Sequence, residues 1–248
     1  MNDKLTSAKC RLCDRMLGKR QMTSHLKACW DHHAKSVTGK ATPRWFHLIV
    51  EGHYAPDYWL HLQAPANCTF GDLDGLLRAI WLECCNHLSA FEFPKKRLRF
   101  QLETQLDIAA MFQELARARL QSITDDYASD DALMDQTLGS RLKPGVVFSH
   151  QYDFGSTTKL ALRVVGEHAA PALAGKLKVL ARNEPPANKC SNCAKPATQF
   201  CQQCAEDGEG DLCDACVKRH DCSEDMVMPL INSPRTGVCG YCGPSREP

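Results

Sequence analysis

The sequence predicts an α+β fold class: a central domain of mixed strands and helices flanked by two small cysteine-rich modules. Three observations predict it. Cysteine pairs crowd the two ends, strand-like and helix-like stretches alternate between them, and polar or Pro-rich segments mark both junctions. The chain has 248 residues and fifteen cysteines. Nine of those cysteines lie in or beside Cys-x-x-Cys pairs near the C-terminus: Cys190/Cys193, Cys201/Cys204, Cys213/Cys216, Cys222 and Cys239/Cys242. Cys10 and Cys13 form a further pair near the N-terminus, with His25 and Cys29 downstream. Two intervening residues let both sulfurs point at one ion, so the flanking modules read as small zinc-binding modules.

Composition sets the frame for that reading. An apolar content of 44% and a charged content of 24% are ordinary for a globular protein. No run of eighteen apolar residues and no charged-then-apolar N-terminus is found, which argues against a membrane partner or a secretory signal. The expected location is cytoplasmic, where thiols stay reduced and a disulfide scaffold loses to metal binding. The formal net charge of +1 hides an asymmetry. Residues 1–43 hold nine Lys/Arg against three Asp, whereas residues 187–248 hold six basic and nine acidic residues. A basic N-terminal module suits a polyanion; an acidic C-terminal one argues against the same role there.

Taken in order, residues 1–34 read as a finger. Cys10-x2-Cys13-x11-His25-x3-Cys29 is close to the two-strand-plus-helix zinc finger, with Cys as fourth ligand and a loop one residue short. His25 and Cys29 lie four apart, so a helix puts both on one face, and Leu17 and Met22 occupy the small apolar core. A module of this size needs the ion to fold. His32 and His33 follow closely, but His25 has the better spacing. Residues 35–43 read as a linker, part of a polar stretch from Asp31 to Pro43.

Residues 44–184 form the central α+β domain. Trp45–Val50 and Tyr58–Leu62 read as strands, a hairpin across Gly52–Asp57. Thr69 and Asp72 resemble a capping box with Asp in place of Glu. Leu73, Leu76, Leu77, Ile80, Trp81 and Cys84 recur at helical spacing, so 70–85 reads as an amphipathic helix, and a second helix is expected over 103–122. Lys143-Pro144-Gly145 reads as a turn, Val146–Tyr152 as a strand and Asp153–Ser156 as a turn. Leu160–Val165 then pairs back, with a further strand at Leu177–Ala181. Strands and helices in this mixture point to α+β rather than a doubly wound sheet. Glu184–Asn188 breaks regular structure before the C-terminal module, residues 185–248.

Several of these segments carry a family resemblance. Arg141–Phe148 followed by Tyr152-Asp-Phe-Gly-Ser-Thr-Thr158, and two strands followed by a helix starting Thr69-Phe70-Gly71-Asp72-Leu73, resemble the plasmid pRiA4b ORF-3-like family of prokaryotic proteins. Met22–Cys29 resembles the N-terminal finger of longer members, and Pro229–Tyr241 resembles their tail. The resemblance spans nearly the whole chain. It implies an α+β domain and an association with plasmids and mobile elements, and supplies no activity. Cys242 departs from the family pattern, which expects no cysteine there.

The C-terminal spacing, Cys190-x2-Cys193-x7-Cys201-x2-Cys204-x8-Cys213-x2-Cys216-x3-His220-x-Cys222, supplies eight ligands, enough for two four-coordinate sites. It resembles cross-braced fingers of B-box or MYND type. By that rule Cys190, Cys193, Cys213 and Cys216 share one ion and Cys201, Cys204, His220 and Cys222 the other, with sequential pairing as the alternative. Cys239 and Cys242 are two ligands too many and are alternatives to His220 and Cys222. Closed thiolate-rich sites leave no position for water, so the zinc reads as structural, about three ions per chain from twelve ligands. An iron–sulfur cluster fits regular knuckles poorly.

On function, Lys19, Arg20 and Lys27 are candidates for phosphate contact from the finger helix, beside Thr23 and Ser24; the competing reading is a zinc-stapled terminus with solvated lysines. One finger reads only about three base pairs. Pro94–Arg99 is a second basic cluster whose default reading is a solvated loop. The acidic C-terminal module suits a protein partner better than nucleic acid, and ubiquitin-ligase activity fits a prokaryotic resemblance badly. Asp153-Phe154-Gly155 lacks every companion of a kinase site and reads as a turn. Cys84-Cys85-Asn86-His87 invites a nucleophile reading, but Cys84 continues an apolar stripe and reads as packing, as does Cys68. His47 and His61 alternate within strands and need no ligand role. The leading expectation is a non-enzymatic binding or adaptor protein linked to mobile DNA. The alternatives are a protein–protein scaffold with structural zinc and an enzyme with its site in the central domain, for which no catalytic motif is found.

Overall fold

A computed structural model of the chain describes residues 6–35, 44–94, 130–169 and 176–244. The expected helix over 103–122, residues 36–43 of the linker and most of the 94–99 basic cluster lie outside them. At the centre is a six-stranded antiparallel sheet, in the order β5-β6-β7-β3-β4-β8. Its strands are β3 (Arg44–Gly52), β4 (Trp59–Pro65), β5 (Ser89–Glu92), β6 (Val147–Tyr152), β7 (Thr158–Ala169) and β8 (Lys178–Arg182). The expected hairpin is present: β3 and β4 pair from Trp45↔Pro65 to Glu51↔Trp59.

Every residue of β4 is buried, as are most of β3. Side chains alternate across a strand, so complete burial means that both faces are covered. On one face Phe46, Leu48, Val50, Leu60 and Leu62 pack with Phe70, Leu73 and Leu77 of α2 (Phe70–Leu77). On the other, Trp59 packs with Leu180 and Ala181 and with Met22, Leu26 and Trp30 of α1 (Lys19–Lys35). Helix α1 belongs to the N-terminal finger, together with β1 (Ser7–Lys9) and β2 (Met16–Gly18). The finger is therefore a layer of the fold. Its backbone is tied to the end of β8, through Arg11 N–H to Leu180 O at 2.8 Å and Glu184 N–H to Ser7 O at 2.7 Å. Expected as linker from Asp31, the chain continues α1 as far as Lys35.

The expected capping box of α2 is formed. Asp72 N–H donates to Thr69 Oγ1 at 3.0 Å and Thr69 N–H to Asp72 Oδ2 at 2.8 Å. The helix is shorter than the apolar spacing implies. It widens into a π turn over Arg78–Leu82 and stops at Glu83, which is extended. Beyond it the Tyr152 hydroxyl accepts the Cys84 N–H at 3.4 Å, so a partner outside the helix replaces the next helical bond. Short helices α3 (Asp130–Met134) and α4 (Leu138–Arg141) complete the α2 side.

A separate three-stranded sheet in the order β10-β9-β11 builds the C-terminal module from β9 (Gln199–Cys201), β10 (Asp211–Leu212) and β11 (Val227–Pro229), with one-turn helices α5 (Gln202–Ala205) and α6 (Asp214–Val217). The chain then returns to the central domain. Asn183 Nδ2 donates to Asn232 Oδ1 and Asn232 Nδ2 to the Asn183 backbone carbonyl, and Ser233 Oγ donates to Trp81 O at 2.7 Å. No helix among the described residues is long and apolar enough to cross a membrane.

Candidate metal centres

The Cys-x-x-Cys pairs adopt two local geometries. Cys10/Cys13 and Cys190/Cys193 sit in knuckles with the same bonding. Cys10 N–H donates to Arg15 O and Asp14 N–H to Cys10 O; Cys190 N–H donates to Lys195 O and Ala194 N–H to Cys190 O. Each knuckle closes through a left-handed residue, Asp14 at φ 63° and Ala194 at φ 58°. The reversal tips both sulfurs of a pair to one side. Cys201/Cys204 and Cys213/Cys216 instead straddle a helix start, the first Cys as N-cap and the second inside α5 or α6.

Among the described residues four groups of four ligand atoms result, each group with all atoms within 4.8 Å of one another. The first is Cys10, Cys13, His25 and Cys29; Cys13 Sγ lies 3.3 Å from His25 Nε2. His25 and Cys29 come from one face of α1, beside the buried Met22, Leu26 and Trp30. The second is Cys190, Cys193, Cys213 and Cys216, with Cys193 Sγ at 3.6 Å from both Cys213 and Cys216. The third is Cys201, Cys204, His220 and Cys222, with Cys204 Sγ at 3.5 Å from His220 Nε2 and 3.6 Å from Cys222. Two thiolates held at about 2.3 Å from a tetrahedral ion are about 3.8 Å apart. These separations match that edge. The grouping follows the cross-braced rule rather than the sequential one.

Protonation gives the same picture. Burial raises the Cys190 thiol, but the backbone N–H groups of Cys213, Asn192 and Cys193 outweigh it and hold Cys190 down at about 6. Its neighbour Cys216 is pushed up to about 12 by the thiols of Cys193 and Cys190. In the finger, burial and then Cys13 and Cys10 push Cys29 up to about 12, while burial and the Arg15 charge lower His25. Four thiols this close cannot all ionise unaided. A divalent cation displaces the shared protons, and a neutral imidazole is the form that ligates.

The fourth group was not legible in the spacing: Cys84, Cys85 and His87 from the loop after α2, and Cys239 from the tail. Cys85 Sγ lies 4.0 Å and His87 Nε2 3.4 Å from Cys239 Sγ. Cys84, expected as packing on a longer helix, does pack against the core, but from beyond the helix end, where it also faces this group. Cys242 joins none of the four groups, and its exposed thiol donates to Gly240 O at 3.1 Å. Cys239 and Cys242 are thus not brought together, nor do they displace His220 and Cys222. The residue order Cys-Cys-Asn-His was visible in the sequence; its partner more than 150 positions away was not.

Other candidates fall as follows. Lys19 is taken up by the central domain, with Nζ at 2.7 Å from Pro56 O and 3.3 Å from Glu51. Arg20 and Lys27 are exposed. His47 and His61 bond to each other at 2.8 Å inside the sheet–finger interface, and burial lowers them to about 4 and about 2, so both are neutral. Asp153 caps its own turn, accepting from Gly155 and Ser156 N–H. A groove of about 380 Å³ is lined by Arg11, Leu76, Ile80, Lys178 and Arg182 among others; its lining residues include no thiol, hydroxyl or carboxylate.

No family model and no curated protein matches the chain. Among solved structures it is similar to MM3350, a protein of unknown function from Methanosarcina mazei Go1, at 17% identity and a TM-score of 0.39, over 57% of this chain and 70% of that one. A likeness that distant carries no argument about function. The chain is an α+β protein whose Cys/His groups have the geometry to hold metal ions.

Proposed function

We propose that the chain is a zinc-stabilised, non-enzymatic binding protein that contacts nucleic acid through the solvent face of α1. One observation carries the reading. Helix α1 turns Met22, Leu26 and Trp30 into the core and His25 and Cys29 toward the metal group, leaving Arg20, Ser24 and Lys27 exposed along its first three turns, Lys19–Cys29, which carry no acidic residue. Zinc in the finger and in the cross-braced module, about three ions from twelve ligands, fits thiolate–imidazole groups without an open position. Lys19 drops out of the phosphate-binding set because Glu51 and Pro56 occupy it. The association with mobile DNA, and with the plasmid pRiA4b ORF-3-like family, rests on the sequence resemblance. A reducing, cytoplasmic setting is the one in which so many thiols remain ligands.

The test is fluorescence anisotropy of labelled DNA and RNA titrated with zinc-loaded protein at several salt concentrations. Binding is expected to weaken steeply with salt, and the Arg20→Ala/Lys27→Ala variant to lower the slope of log K against log salt by about 2, from the loss of two phosphate contacts. No binding at low salt overturns the reading. It would favour a protein–protein scaffold, for which the exposed Glu206, Asp207, Glu209, Asp214, Asp221, Glu224 and Asp225 on the C-terminal module are the supporting observation.

A further inference from the structure

We propose that Cys84, Cys85, His87 and Cys239 form a fourth zinc site, a three-thiolate, one-imidazole clasp that locks the tail to the central domain. It goes beyond the three sites above and does not depend on nucleic-acid binding. The ligand atoms already stand at tetrahedral separations: 4.0 Å between the Cys85 and Cys239 sulfurs, and 3.4 Å from His87 Nε2 to Cys239 Sγ. Two thiolates at about 2.3 Å from one ion require about 3.8 Å.

The backbone is bent to make this arrangement. Asn86, between two ligands, has φ 56°, and Cys239 itself has φ 53°. Asn enters the left-handed region readily, but a cysteine there is held by its surroundings, and such residues gather at functional sites. The loop carrying Cys84 follows directly from a π turn, another feature common at such sites.

The surroundings are those of a metal site as well. Arg235, fully buried, donates from Nη2 to Asp153 Oδ2 at 2.7 Å and to Cys84 Sγ at 3.5 Å, and from Nη1 to Thr158 Oγ1 at 2.8 Å. Asp153 Oδ1 faces His87 Nδ1 at 3.8 Å, the side of the ring away from Cys239. At that distance the carboxylate acts on the ring through its charge and not through a hydrogen bond. The Tyr152 hydroxyl accepts from the N–H of Cys84 and of His87, at 3.4 and 3.3 Å, and donates to Glu83. Three thiolates and a neutral imidazole around a divalent cation carry one net negative charge. A buried guanidinium bonded to one of those sulfurs answers it.

Closed by four protein ligands, the site is structural: it fastens residues 233–241 to the loop after α2. Zinc is counted by elemental analysis on full-length protein purified in reductant without chelator. Four ions per chain are expected, and Cys239→Ser and Cys85→Ser should each lose one while Cys242→Ser loses none. A count unchanged in both clasp variants overturns the proposal. Because a misfolded variant sheds zinc everywhere, the wild-type protein supplies a second readout by timed alkylation and mass spectrometry. Cys85, Cys239 and Cys242 are all exposed, so accessibility alone predicts equal labelling. A bound ion protects Cys85 and Cys239, at least tenfold slower than Cys242, until chelator is added. Equal rates overturn the proposal, as does protection that only a reductant releases, which would identify a disulfide.

Discussion

The finger and the C-terminal module use the same ligand chemistry on different foundations. In the finger, the metal group adjoins Ala8, Met22, Leu26 and Trp30, and that cluster is continuous with Trp59, Leu180 and Ala181 of the central sheet. In the C-terminal module, Cys190, Cys201, Cys213 and Cys216 are themselves the core, with Leu212 the remaining buried residue of the cluster. One module adds a group of metal-ligand type to a hydrophobic interface; the other has little but such groups. A core of thiols loses its cohesion when the ion leaves, whereas a docked helix keeps its burial.

Chelation is the strongest way to break that comparison. A high-affinity chelator should open the C-terminal module completely, with protease cleavage concentrated in residues 190–229, while α1 stays protected against the sheet. Hydrogen exchange followed by mass spectrometry reads both regions in one experiment. Simultaneous opening of α1 and the module would show that docking contributes nothing of its own.

Trp59→Ala attacks the finger from the opposite side. The indole is fully buried between sheet and finger, and its Nε1 donates to Thr6 Oγ1 at 2.7 Å. A cavity of that size costs about 3–5 kcal/mol, seen as a lower denaturation midpoint. The finger then becomes as dependent on metal as the C-terminal module, so α1 protection is lost on chelation. An unshifted midpoint would place the stability of the interface elsewhere.

The same contrast separates what was legible in the sequence from what was not. Local features were readable: the strands of the β3–β4 hairpin, the Thr69–Asp72 box and the Cys-x-x-Cys pairs are each specified by neighbours in the chain. Three things escaped. The docking of α1 depends on which face of β4 meets which layer, and alternation cannot reveal that when both faces are apolar. The end of the helical stretch at Leu82 is met by Tyr152, some seventy residues away, which accepts the Cys84 N–H. Cys84, Cys85, His87 and Cys239 meet because Arg235 anchors the tail under a loop, and no spacing rule spans that distance. Cys84 does pack against the core as its register implies, but the helix ends before it, so its place beside Cys85, His87 and Cys239 is not readable from that register.

The sheet–finger interface also predicts a pH dependence. His47 and His61 are held neutral by burial, with His47 lowered to about 4 from an ordinary value near 6.5. Between those values the unfolded chain binds the proton and the folded one does not. Stability is therefore full above pH 6.5 and falls as the pH drops toward 4. From pH 6.5 to 5.5 the loss attributable to His47 is about 1 kcal/mol. Urea midpoints measured at several pH values should fall less steeply for His47→Gln than for the wild type; parallel slopes would mean that His47 titrates normally.

The smallest expected effect distinguishes docking from binding on α1. Lys19 is the first residue of the helix, where a positive charge opposes the helix dipole. It is kept there by Glu51 and the Pro56 carbonyl, both from the hairpin of the central domain. A partly exposed ion pair contributes about 0–1 kcal/mol, and relief of the dipole repulsion offsets part of that. Lys19→Ala should thus shift stability by less than about 1 kcal/mol. Its second consequence is the sharper one: Lys19 already faces Glu51, so its removal should leave the salt slope of nucleic-acid binding unchanged, whereas Arg20→Ala alone lowers that slope by about 1. Equal slopes for the two variants would mean that Lys19 leaves Glu51 to meet phosphate, and that the finger separates from the sheet when it binds.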